Sequence, residues 1–100
     1  MNKAWKQMER DIAKKFKTRR SGYEQSRKEG TTSSDTMHPT LYIECKRTRR
    51  VSLWSLWTDT ERKAKREGKL PLLVLKHPDL TNSLLVCRLR DVKKVVKEMV

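Results

Sequence analysis

No stretch of this 100-residue chain contains the roughly eighteen consecutive apolar residues that a membrane span needs, and its charged start lacks the apolar core of a secretory signal. The expectation is a soluble, intracellular, cytoplasmic protein. Cysteine is scarce: Cys45 and Cys87 stand in apolar runs with neither a CxxC pattern nor a paired-histidine spacing, which argues against structural zinc and against a disulfide framework. Both read as small buried hydrophobes. The two histidines, His38 and His77, each precede proline in a turn signal and are read as structural. Acid is in short supply as well. Twelve Asp and Glu face 25 Lys and Arg, a net charge of +13, so the natural partner is a polyanion. The basic residues run through the whole chain instead of forming a tail, which favours nucleic acid. Residues 1–30 carry ten basic and four acidic groups against seven and three in residues 69–100, placing the strongest field near the N-terminus.

One hundred residues make a single domain, 1–100, with a core small enough that self-association would add useful stability. From Ala4 to Phe16, the residues Trp5, Met8, Ile12 and Phe16 recur at steps of three and four, which predicts an amphipathic helix. Glu9 falls inside that apolar stripe. It either pairs with Lys6 or Arg10 at the stripe's margin or reaches inward to a metal or a catalytic lysine. Lys17 to Ser34 has no usable period and reads as a largely irregular segment with one short strand near either end. Its Tyr23 is a candidate for stacking on a base.

Leu41 to Lys46 predicts a strand, and Ser52 caps a helix that Gly68 stops. On that helix Trp54, Trp57, Glu61 and Ala64 share a face, which suits a core or a dimer seam better than a base platform. Leu70 to Lys76 predicts a second strand and Leu84 to Arg88 a third, followed by a helix from about Arg90 with Val92, Val95, Val96 and Met99 as its apolar side. The elements define a mixed sheet flanked by helices, an α/β arrangement of the α+β kind.

The chemistry concentrates between Asp35 and Lys46. Side chains alternate along a strand, so Leu41, Ile43 and Cys45 go one way while Tyr42, Glu44 and Lys46 go the other. If the His38-Pro39 turn doubles the chain back, Asp35 comes beside Glu44, and two carboxylates with an ammonium make a divalent-metal site with a cationic helper. The alternative is an edge strand with one charged, solvated face.

Glu9, Asp35, Ile43-Glu44-Cys45-Lys46, and the softer Trp54-x-x-Trp57, Glu61 and Gly68-Lys-x-Pro-x-x-Val-x-Lys76, taken in order, resemble the PD-(D/E)XK nuclease superfamily. The small Holliday-junction-resolvase-like branch and its phage-borne relatives look most similar. The family's Pro-Asp is Ser34-Asp35 here, and Thr58 or Asp59 stands where relatives often place a glutamine. The resemblance implies a restriction-endonuclease-like core in the order α-β-β-β-α-β-β-α, its first strand hard to find in residues 17–34. It implies Asp35 and Glu44 as ligands of Mg²⁺ or Mn²⁺, with the backbone carbonyl of Cys45 as a further oxygen. Lys46 then orients the attacking water or stabilises the phosphorane, and Glu9 is a supporting carboxylate or a ligand of a second ion. Arg19, Arg20, Lys28, Arg47, Arg49 and Arg50 flank this centre as phosphate contacts. The implied protein is a homodimeric endonuclease for branched DNA. The rival reading is a basic DNA- or RNA-binding protein without catalysis.

Overall fold

The computed structural model describes residues 4–21 and 32–100. Tyr23 and Lys28 lie outside them, and with them the expected roles in stacking and phosphate contact. Helix α1 covers Ala4–Lys15 and buries Glu9, Ile12 and Ala13. Strand β1 is Leu41–Arg47, helix α2 Leu53–Arg66, strand β2 Leu70–Lys76 and strand β3 Leu84–Val86. A 3₁₀ turn at Leu89–Asp91 leads into helix α3, Val92–Lys97.

The sheet order is β1-β2-β3, with β1 parallel to β2 and β2 antiparallel to β3. A parallel pair needs a crossover, which α2 supplies. Pro71 sits opposite Tyr42 near the start of β2, outside the stretch of β2 paired with β3, so its missing N–H costs the ladder nothing there. Among the described residues the result is a small α+β domain with a three-stranded mixed sheet and three α-helices. The early strands expected near the ends of residues 17–34 are reduced, among the described residues, to one antiparallel bridge between Arg20 and Thr36.

Leu41, Ile43, Leu72 and Val74 pack with Ile12 of α1, with Phe16 just past its end and with Val95 of α3, and Cys45 and Cys87 fill in against them, both as free thiols. Tyr42 and Leu73 point the other way, towards α2, whose Thr60 and Ala64 are fully buried. Both faces of β1 are therefore covered at Tyr42, whereas farther along the same face Glu44 is half-buried and Lys46 exposed.

The last helix departs from expectation. Only Val95 is buried, while Val92 and Val96 stand exposed, because a six-residue helix can present just one turn to the sheet. The third strand ends at Val86 instead of Arg88, and Arg88 leaves the ladder to pair with Glu61 of α2. Both long helices end in a Schellman motif. In α2, Gly68 (φ +67°) donates to Lys65 and Lys69 to Ala64. In α1 the left-handed position is held by Lys17 (φ +57°), with Lys17 donating to Lys14 and Thr18 to Ala13.

Candidate active site

Strand β1 has two hydrogen-bonding edges. The inner one pairs with β2. The outer one is satisfied by side chains: the N–H of Leu41 donates to His38 Nδ1 (3.0 Å), that of Ile43 to Ser34 Oγ (2.9 Å) and that of Cys45 to Asp35 Oδ2 (2.7 Å). The backbone joins in once, where Asp35 N–H donates to the Ile43 carbonyl at 2.9 Å. Residues 34–38 thus run beside β1 as a substitute strand built largely from side-chain acceptors. This fixes Asp35.

The turn brings Asp35 back, and its carboxyl lies within hydrogen-bonding reach of Glu44. Burial above all, then the hydrogen bond to Glu44 and that residue's charge, push the Asp35 carboxyl up to about 8, against the pull of the Cys45 N–H and of Arg20. A like charge this close disfavours ionisation of Asp35, which adds to the effect of burial. Burial, and next the charge of Asp35, also raise Glu9, while Arg20 and Arg10 oppose them. The Cys45 thiol is driven up by burial and by Asp35, Glu9 and Glu44 together, so all three acids act on one spot. Glu9 does not pair with Lys6 or Arg10. Its partner is Arg20, Nε to Oε1 at 2.6 Å.

Several other expected residues are placed less centrally. Lys46 is exposed at the C-terminal end of β1, on the Glu44 face by strand alternation. Arg19, Arg49 and Arg50 are exposed and Arg47 is half-buried. Arg49 pairs with Asp79 at 3.1 Å. Arg20 turns inward to Glu9 and over the ring of Trp5 instead of outward. On α2, Trp54 is 79% exposed and lines a shallow groove with Leu53, Trp57 and Leu89.

Among the described residues no three His, Cys, Asp or Glu side chains form a ready cage for a metal. The donor set fits a less demanding ion. Magnesium keeps several waters and takes one or two carboxylates, and Asp35 and Glu44 provide two. The N–H and C=O of one strand residue leave on the same side, so the Cys45 carbonyl faces the edge where Asp35 sits.

Sequence reasoning missed three supports. Ser34 also donates to the Ile43 carbonyl (3.0 Å), a role open to a hydroxyl and closed to a proline. His38 must accept at Nδ1 from both Leu41 and Thr40, which places its proton on Nε2, 3.5 Å from Glu98. Glu67, just past α2, accepts from Thr32 Oγ1, Ser33 N–H and Ser33 Oγ and pins the approach to Asp35. The only signal for Ser34 and Thr32 was their place in a polar cluster before Asp35. No protein-family model, curated protein or solved structure matches the chain.

Proposed function

We propose that this chain is a metal-dependent DNA endonuclease of the PD-(D/E)XK type, with Asp35, Glu44 and the Cys45 carbonyl holding Mg²⁺ or Mn²⁺. The observation that carries the reading is the Asp35 carboxyl, tied to the Cys45 N–H at 2.7 Å and set against Glu44 in a largely buried position. When bound, such an ion polarises a phosphate and lowers the pKa of a coordinated water. The protein's own part is to aim the donors. The Cys45 N–H and the Ile43 carbonyl fix Asp35 through its side chain and its backbone, so that carboxyl is held in place before substrate arrives. Lys46 carries a compact positive charge two residues beyond Glu44, placed to stabilise the negative charge that grows on the phosphate during cleavage.

Binding rests on phosphate contacts from Arg19, Arg47, Arg49 and Arg50 within a chain of net charge +13. Such contacts position a duplex and read its shape without specifying sequence, which suits branched DNA such as a Holliday junction. The exposed Trp54 with Leu53 and Leu89 is the face we assign to a second copy, so that two centres serve opposed strands. Light scattering at micromolar concentration reports on that dimer, and one chain per particle would contradict it.

The direct test incubates labelled linear, flap and four-way-junction DNA with the protein and Mg²⁺, Mn²⁺ or EDTA. Cleavage that needs metal and is lost in Asp35→Asn and Lys46→Ala is expected. No cleavage of any substrate, or cleavage that survives both substitutions, would leave a nucleic-acid-binding protein without catalysis.

A further inference from the structure

Glu9 is a third carboxylate near this centre, buried on α1 and acting on the same Cys45 thiol as Asp35 and Glu44. The protein has already supplied a cation there. Arg20 Nε meets Glu9 Oε1 at 2.6 Å, with the two side chains only 20% and 11% exposed. The guanidinium also stacks on Trp5, 5.3 Å from the ring centroid, and Trp5 stands one helical turn before Glu9 on α1. Its backbone is held on both sides: Met37 N–H donates to the Arg19 carbonyl (2.9 Å) and Ser21 N–H to the Asp35 carbonyl (3.1 Å), around the Arg20–Thr36 bridge. Arg20 is thus clamped at backbone and side chain to both the Asp35 segment and the first helix.

We infer that Arg20 is a positioning residue that occupies Glu9 and so limits the centre to one divalent ion per chain. The inference rests on the reading of Asp35 and Glu44 as a metal site. Charge supports the count. Glu9, Asp35 and Glu44 carry three negative charges when ionised; one dication with Arg20 and Lys46 already outweighs them, and a second dication would add two more positive charges to a partly desolvated site. A second ion in two-metal hydrolases sits about 3.5–4 Å from the first and needs a carboxylate free to turn towards it. Glu9 is committed elsewhere.

The test is Mn²⁺ binding to the full chain by isothermal titration calorimetry, with electron paramagnetic resonance to detect a spin-coupled Mn²⁺ pair. The wild type is expected to take one uncoupled Mn²⁺, lost in Glu44→Ala. Arg20→Met should take two and show the coupled signal, Arg20→Lys should return to one, and Arg20→Met combined with Glu9→Gln should lose the second ion. A merely structural role for Arg20 would not create a coupled pair. Should Arg20→Met fail to fold, as thermal unfolding would reveal, Glu9→Gln decides: one bound Mn²⁺ with no more than the roughly ten- to hundredfold loss of an outer-shell change is expected, and a loss well beyond about a hundredfold would overturn the inference. Two ions in the wild type, or a single ion in well-folded Arg20→Met, would also overturn it while leaving the metal centre standing. No binding by the wild type, with no effect of Glu44→Ala, would remove the metal centre and this inference together.

Discussion

Glu44→Gln should stabilise the protein at pH 8 in metal-free buffer and leave it nearly unchanged at pH 5. Asp35 is raised from 3.8 to about 8, burial first and Glu44 second, so the folded chain keeps a proton that the unfolded chain has released. Stability from this group is present below its unfolded value and is lost as pH rises through the window from 3.8 to about 8. The slope is about 1.4 kcal/mol per pH unit, or roughly 2 kcal/mol between pH 6.5 and 8. That upper part of the window is the informative one. His38 is pushed down from 6.5, chiefly by burial, and contributes the opposite slope only below that value. Glutamine keeps the shape and removes the charge but not the burial, so the folded value of Asp35 should fall and the window should close at a lower pH, a gain on the order of 1 kcal/mol at pH 8. Urea titrations followed by tryptophan fluorescence in EDTA, at pH 5, 6.5 and 8, measure it. A flat wild-type profile from pH 6.5 to 8, or a Glu44→Gln profile just as steep, would refute the reasoning.

Other expectations follow from the same geometry. Adding Mn²⁺ at pH 8 should raise the melting temperature of the wild type and not of Glu44→Ala, as differential scanning fluorimetry would report. Ser34→Ala leaves the buried Ile43 N–H without its partner and should cost about 1–3 kcal/mol in urea unfolding, a change below about 0.5 kcal/mol counting against the side-chain ladder. Lys17→Gly relieves a left-handed lysine at the end of α1 and should stabilise by about 1 kcal/mol, read from the same titration. Below pH 6.5 protonation of His38 must break its bonds from Leu41 and Thr40, so His38→Gln should flatten the loss of stability on the acid side.

The sheet and the two long helices were readable because their apolar spacing is local. Leu41 to Lys46 and Leu70 to Lys76 match the observed strands to within one residue, and Gly68 stops α2 through the left-handed geometry that glycine favours. The approach of Asp35 to Glu44 could be posed from the His38-Pro39 turn but not decided, since it depends on where Ser34 and His38 place their acceptors along β1. A side chain bonded to a backbone N–H nine or ten residues on, as those of Ser34 and Asp35 are, leaves no periodic trace. The same holds for Arg20, whose inward turn depends on pairing between residues 19–21 and 35–37, too short a contact to show as a strand pattern. Val92 and Val96 misled for a different reason. Apolar character marks a face, but helix length sets how much of it the sheet can receive.

Three successive amides on the outer edge of β1 end on an imidazole, a hydroxyl and a carboxylate. None of these can pass the ladder on to a further strand, so that edge offers little for another molecule to extend. Asp35 in this light is a guard against sheet-to-sheet aggregation as well as a candidate ligand. Chains lacking it should lose solubility on the β1 side, whereas asparagine, whose carbonyl oxygen can still accept from Cys45, would keep the edge closed.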